Sequence, residues 1–132
     1  MGFIKKIFGS LGVQKPKSVL EVLQQLGTPI ITGRFRDLAE ANNNALSKKT
    51  TDKKIMEIYQ RVGTAFQREA NNRGETIPSE NLNGIIFKFV LLYDKFGEVL
   101  FNEHLEYEIE KYHREGLRQD YLNFKINLVD II

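Results

Sequence analysis

Residues 80–96, ENLNGIIFKFVLLYDKF, decide the fold of this chain. They follow Pro78 and Ser79, a pair that is typical of a helix start. Apolar side chains cover most of a helical wheel drawn for the stretch, at Leu82, Ile85, Ile86, Phe87, Phe89, Val90, Leu91, Leu92, Tyr93 and Phe96. A helix that is apolar nearly all round is normally buried by its neighbours. The stretch therefore predicts a buried central helix that ends or kinks at Gly97.

Amphipathic helices are predicted on both sides of this central helix. The upstream helix follows Thr51 or Asp52, which are good N-caps, and ends at Gly74. Its apolar positions are Ile55, Tyr59, Val62, Phe66 and Ala70. The downstream helix runs from Glu98 to Glu115 and stops at Gly116. Its narrow apolar stripe consists of Phe101, Leu105, Ile109 and Tyr112.

The rest of the chain gives weaker patterns. A helix is predicted from Ser18 to Gly27, then a loop from Thr28-Pro29 with Ile30 and Ile31 in the core, then a short helix over residues 35–46. Residues 120–132 fit either a helix or a short strand, and helix is favoured because a lone strand would need a partner. We therefore predict an all-α fold, a compact bundle of about five helices around residues 80–96, with a single domain over residues 17–132.

The first residues form a separate amphipathic pattern over residues 1–13. One arc of the helical wheel carries Phe3, Ile4, Ile7, Phe8 and Leu11, and the other side carries Lys5 and Lys6. A short helix of this kind binds reversibly to an anionic membrane surface, with its apolar side chains among the headgroups. The alternatives are that it docks on a partner protein, on its own domain or on a second copy of the chain.

Composition and missing motifs exclude several classes of protein. The chain has 132 residues, 42% of them hydrophobic and 27% charged, which is ordinary for one globular domain. It has no cysteine, so disulfide frameworks, zinc fingers, iron–sulfur clusters and thiol nucleophiles are excluded. Phosphate-binding loops, dinucleotide-binding turns, zinc-protease and hydrolase motifs and EF-hand loops are also absent from the sequence. No cofactor and no catalytic residue is predicted.

Charge is distributed unevenly and gives a nucleic-acid alternative. Residues 1–74 hold 13 Lys and Arg and 6 Asp and Glu, a net charge of +7, whereas residues 75–132 hold 6 and 11, a net charge of −5. Basic residues interleaved with an aromatic residue can contact phosphates while the ring stacks on a base. The residues that would do so are Arg34, Phe35, Arg36, Lys48, Lys49, Lys53 and Lys54.

A metal site is the second alternative. Glu103, Glu106, Glu110 and His113 share one side of the predicted helix, because they are spaced by three, four and three residues. Carboxylates and imidazole suit iron, manganese or zinc, and Glu106, Glu110 and His113 are the candidate ligands. The competing interpretation is a charged helix face in water, since this face lies opposite the apolar stripe.

These observations together predict a non-enzymatic interaction protein. We expect a small helical regulator, adaptor or inhibitor that binds another protein at the cytoplasmic face of a membrane. Residues 3–11 are the predicted contact, because apolar surface rimmed by polar residues marks interaction sites.

Overall fold

The computed structural model describes residues 28–126, and their side chains from residue 31 onward. These residues form five helices: α1 (Thr28–Ala41), α2 (Asp52–Asn72), α3 (Ser79–Phe96), α4 (Glu98–Glu115) and α5 (Gln119–Asn123). The predicted all-α bundle is confirmed for this part of the chain, which contains no strand. The predictions for residues 1–13 and for a helix over residues 18–27 lie outside the described residues.

Helix α3 lies at the centre, as its sequence predicts. It packs against α2, α4 and α5, while α2 also packs against α1 and α4. Residues 81–87 of α3 are buried without interruption. The last turn is different, because its residues Lys95 and Phe96 are exposed. Phe96, which the wheel assigns to the core, lies at the surface with 60% of its area exposed.

Aromatic rings connect the helices inside the bundle. Phe66 of α2 contacts the rings of Phe89 on α3, Tyr112 on α4 and Tyr121 on α5. On the other side of α3, the rings of Phe35, Phe87 and Phe124 follow one another in stacked pairs. Aromatic pairs at such distances stabilise the fold beyond the area they bury.

The predicted start of α2 and the predicted end of α3 are confirmed. The Thr51 hydroxyl accepts a hydrogen bond from the Lys54 amide at 3.1 Å and so caps the start of α2. Gly97 adopts a φ of +88°, which a residue with a side chain rarely tolerates, and its amide donates to the Tyr93 carbonyl at 2.8 Å. It therefore ends α3 instead of kinking it, and α4 begins at the next residue.

Two segments differ from the prediction. Helix α1 begins at Thr28, where a loop was predicted, and it ends at Ala41, short of residue 46. Pro29 lies in the first turn of α1. A proline is compatible with this position, because the backbone amides of the first turn have no intrahelical partner and the missing N–H of proline costs no hydrogen bond. The chain leaves α1 at Asn43, which has a φ of +59°. Ile31 is buried in the core, as predicted.

Of the predicted C-terminal segment, residues 120–126 form the end of a short helix followed by extended chain, and residues 127–132 lie outside the described residues. Helix α5 covers Gln119–Asn123, and residues 124–126 run along the start of α3 without forming a strand. The Ile126 amide donates to the Glu80 carbonyl at 2.8 Å, and the Asn81 side-chain amide donates to the Leu122 carbonyl at 2.9 Å. This end of the described chain is therefore fixed to α3.

Candidate functional site

A groove with an apolar floor lies at the surface between α2 and α4, where the two helices pack against each other. These two helices run in the same direction, since Lys54 pairs with Glu98 near their starts and Glu69 with His113 near their ends. Their facing side chains leave an open space of about 460 Å³. We call it the α2–α4 groove and define it by Ala65, Glu69, Leu105, Glu106, Ile109, Glu110 and His113. The floor is apolar, whereas the rim carries three carboxylates and one imidazole.

The groove exists because α4 is rotated from the predicted position. Its buried residues are Phe101, Leu105, Glu108 and Tyr112, so the buried stripe includes Glu108. Ile109, which was predicted to lie in the core, is only partly buried and lines the groove. On the opposite wall, the short side chain of Ala65 leaves space that a larger residue would fill.

An ion pair between the buried Glu108 carboxylate and the exposed Arg118 accounts for this rotation. The Glu108 carboxylate accepts a hydrogen bond at 2.7 Å from Arg118, in the turn after Gly116. His104, one helical turn earlier, lies 3.7 Å from the same carboxylate oxygen. The hydrogen bond to Glu108 raises the pKa of Arg118, so the guanidinium keeps its charge and compensates the buried carboxylate.

The predicted metal ligands lie on the rim of the groove, but their arrangement does not support a metal site. Glu106, Glu110 and His113 all line it, whereas Glu103 is exposed on α4 outside the groove lining. His113 Nδ1 lies 2.7 Å from Glu69 Oε1, so the imidazole is engaged by a carboxylate of α2. Within residues 28–126, no three His, Asp or Glu side chains are grouped so that they could hold a metal ion.

The predicted nucleic-acid residues separate into buried and exposed sets. Phe35 is fully buried and packs against Tyr59 and Phe87, so it is not available to stack on a base. Arg34 is partly buried, and Arg36 donates to the Asp52 carboxylate at 2.9 Å and to the Thr50 carbonyl at 2.7 Å. The interleaved Arg-Phe-Arg pattern therefore belongs mainly to the packing of α1 on α2 and α3.

The predicted lysines lie at one end of the bundle. Lys48 and Lys49 are exposed in the loop between α1 and α2, and Lys53 is exposed in the first turn of α2. Lys54 instead turns towards the start of α4, where its ammonium lies 2.9 Å from the Glu98 carboxylate and above the ring of Tyr93. The hydrogen bond from Lys54 lowers the pKa of Glu98, so this link persists at neutral pH.

Asp94 holds the lysine-bearing loop in place. One of its oxygens accepts hydrogen bonds from the Ser47 amide at 2.8 Å, the Ser47 hydroxyl at 2.8 Å and the Thr50 hydroxyl at 2.6 Å. Partial burial raises the pKa of Asp94, but these hydrogen bonds outweigh the burial and the pKa is lowered.

We therefore expect Asp94→Asn to lower the free energy of unfolding at pH 7 by about 1–2 kcal/mol, since hydrogen bonds to a charged group are the stronger kind. A lowered pKa contributes stability above the ordinary Asp value of 3.8, and this is lost as the pH falls through the folded-state pKa. The difference from wild type should thus shrink below about pH 4. Urea unfolding at pH 7 and at a pH below about 4 tests this, with Asp37→Asn as the exposed control. An equal loss of stability at the two pH values would contradict it.

The structure brings together residues that one-dimensional patterns did not combine. Ala65, Glu69 and Leu105 form the groove together with the predicted metal ligands Glu106, Glu110 and His113. The predicted lysines lie at the end of the bundle where α3 meets α4, as the pairing of Lys54 with Glu98 shows. None of the helices in residues 28–126 is both long and apolar enough to cross a membrane. Comparisons with protein-family models, with curated proteins and with solved structures find no match to this chain.

Proposed function

We propose that this protein is a non-enzymatic interaction protein that binds an amphipathic helix of a partner protein in the α2–α4 groove. The observation that carries the proposal is an apolar floor at an open surface, bordered by acidic side chains. Ala65, Leu105 and Ile109 form that floor, and no Lys or Arg lines this part of the groove.

A helix is the element that fits two parallel helix walls. Its apolar side chains at positions i, i+3 or i+4 and i+7 would enter the groove, as in other helix-in-groove complexes. Each large apolar side chain that becomes buried stabilises the complex by roughly 1.5–3 kcal/mol before ordering costs. The Glu106 and Glu110 carboxylates favour Lys or Arg on the flank of that helix, because unlike charges steer association and fix register.

Charges along the walls also give the bound helix a direction. The groove continues towards the N-terminal ends of α2 and α4 as a wider space of about 510 Å³ that shares Ala65 and Leu105. This continuation is lined by Arg61 and Arg68, with Glu57 as its one carboxylate. A partner helix with basic residues at the His113 end and acidic residues at the Arg61 end would match both halves.

Site-specific cross-linking tests this proposal. A photo-reactive phenylalanine analogue at position 109, in the full chain and in cells of its source, should attach to one partner protein. The same group at Asp37, an exposed position of α1, should not capture that partner. Glu106→Lys should weaken the capture, because it reverses a rim charge. Equal capture at both positions would contradict the proposal, and so would a cross-link from position 109 back to residues 3–11, since the groove would then hold the chain's own segment.

We further propose that residues 3–11 bring the protein to the cytoplasmic face of an anionic membrane. Phe3, Ile4, Ile7, Phe8 and Leu11 supply the apolar side of the predicted helix, and Lys5 and Lys6 supply its charges. A second copy of the chain is the alternative partner for this segment. Ile7→Glu places a charge on the apolar side and should weaken binding of the full chain to anionic vesicles; unchanged binding would contradict this proposal.

A further inference from the structure

One end of the bundle combines exposed apolar side chains with lysines. At the corner between α3 and α4, Phe96, Val99 and Leu100 are exposed over 60%, 71% and 47% of their areas. Such large apolar side chains side by side at a surface mark an interaction site. Four exposed lysines accompany them, and we call the whole set the lysine end: Lys48, Lys49, Lys53, Lys95, Phe96, Val99 and Leu100.

Contacts between distant parts of the chain hold these residues together. Asp94, two residues before Phe96, accepts the three hydrogen bonds from Ser47 and Thr50. Lys54 links the start of α2 to Glu98, one residue before Val99. The loop that carries Lys48 and Lys49 is therefore fastened to the apolar corner.

Lysines outnumber carboxylates among the exposed side chains at this end. The carboxylates of Asp94 and Glu98 are engaged by these hydrogen bonds and ion pairs, and Asp52 is paired with Arg36 at 2.9 Å. The lysines that form ion pairs within residues 28–126 are Lys54, Lys88 and Lys125. Lys48, Lys49, Lys53 and Lys95 are not among them, and Lys49 acts on Asp94 only through its charge at longer range. Their charge is therefore available to an external anionic surface.

We propose that the lysine end docks on the surface of an anionic lipid bilayer. Phe96, Val99 and Leu100 would enter the headgroup region while the lysines contact lipid phosphates, the division of roles found in interfacial membrane binding. Nucleic acid would use the same lysines but offers no apolar phase for Val99 and Leu100. The lysine end shares no residue with the segment 3–11 or with the lining of the α2–α4 groove, so this proposal does not depend on either.

A single-tryptophan reporter gives the most direct test, because the chain has no tryptophan. Phe96→Trp in the full chain should shift its emission to shorter wavelength when vesicles of phosphatidylcholine and phosphatidylglycerol are added, and not with phosphatidylcholine alone. Tyr107→Trp is the matched control, since Tyr107 is 52% exposed on α4, two helical turns beyond Leu100. The control should keep its emission in both mixtures. An unchanged spectrum of Phe96→Trp with anionic vesicles that pellet the protein would overturn the proposal.

Co-sedimentation measures the contribution of each residue type. We expect Lys48→Gln/Lys49→Gln/Lys53→Gln to weaken binding to anionic vesicles roughly a hundredfold, on the order of fivefold per lysine. Phe96→Ser/Val99→Ser should weaken it at least about tenfold, because two exposed apolar side chains are removed. Tyr107→Ser should bind as wild type does. Thermal unfolding of every variant shows that the fold is retained, which is expected because all the replaced side chains are exposed.

The same variants separate this proposal from its competitors. If Ile7→Glu abolishes vesicle binding and the lysine-end variants do not weaken it, residues 3–11 alone are the anchor and the proposal is wrong. The proposal also fails if Phe96→Ser/Val99→Ser binds vesicles normally while the triple lysine variant loses a low-salt gel shift of an oligonucleotide. That outcome would assign the lysines to nucleic acid.

Discussion

Phe66→Ala is expected to lower the free energy of unfolding by about 3–5 kcal/mol, the usual loss when a buried phenylalanine is truncated. Phe66 is fully buried on α2. Its ring centre lies 6.0 Å from that of Phe89, 6.1 Å from that of Tyr112 and 5.9 Å from that of Tyr121. One side chain thus joins four helices, and its removal leaves a cavity to which each of them contributes a wall.

Urea unfolding followed by far-ultraviolet circular dichroism measures this loss. Phe66→Leu keeps most of the apolar volume and should lose clearly less than Phe66→Ala. Tyr107→Ala is the matched control for removal of an aromatic ring, because Tyr107 is exposed and its loss should change stability by less than about 0.5 kcal/mol. A Phe66→Ala variant as stable as Tyr107→Ala would show that this aromatic cluster is not the centre of the core.

The helices that the sequence predicts best are those with clear start and stop signals. Thr51 caps α2, Gly97 ends α3 and Gly116 follows α4, each as expected. These signals act locally, through one side-chain hydrogen bond or one backbone angle, so a single sequence contains them. The start of α1 was misassigned because Thr28-Pro29 is typical of both a loop and a first helical turn.

Burial within a helix was harder to predict, because it depends on the neighbours. The predicted stripe of residues 98–115 includes the apolar Ile109, and it leaves out Glu108 because a charged side chain is not expected in a core. The structure reverses the two, because Arg118 lies beyond a turn and compensates the Glu108 carboxylate. In the same way, a wheel for residues 80–96 assigns Phe96 to the core, although its side chain is exposed in the structure.

The two candidate surfaces are products of tertiary structure. The floor of the α2–α4 groove needs Ala65 of α2 beside Ile109 of α4, although they are 44 positions apart in the sequence. The sequence groups Lys48, Lys49 and Lys53 with Phe35 as a nucleic-acid pattern. In the structure these lysines lie at the same end of the bundle as the exposed Phe96, Val99 and Leu100. One sequence contains the charged residues, but the apolar side chains that lie beside them are set by the tertiary fold.

Gly84→Ala and Gly33→Ala should change stability in opposite directions. Both glycines lie within helices, where alanine is favoured by about 1 kcal/mol. A Cβ at Gly33 meets nothing within 4 Å, so Gly33→Ala should stabilise the protein by about 0.5–1 kcal/mol. A Cβ at Gly84 would lie 2.6 Å from the Phe124 carbonyl oxygen and 2.7 Å from Phe124 Cδ1. We expect Gly84→Ala to destabilise the protein by about 1–3 kcal/mol, the usual cost of overpacking.

The clash at Gly84 cannot be relieved by a side-chain rotation, because one of the two atoms belongs to the backbone. The side-chain amides of Asn81 and Asn83 hold that backbone by donating to the carbonyls of Leu122 and Ile126. The Phe124 ring also stacks on Phe87. The strain should therefore appear at this segment, as faster hydrogen exchange of the Ile126 amide in Gly84→Ala than in Gly33→Ala. Thermal unfolding of the two variants gives the sign of each effect. If both raise the melting temperature, residues 122–126 do not approach α3 this closely in solution, and the glycine in the most buried turn of the central helix would then have no packing role.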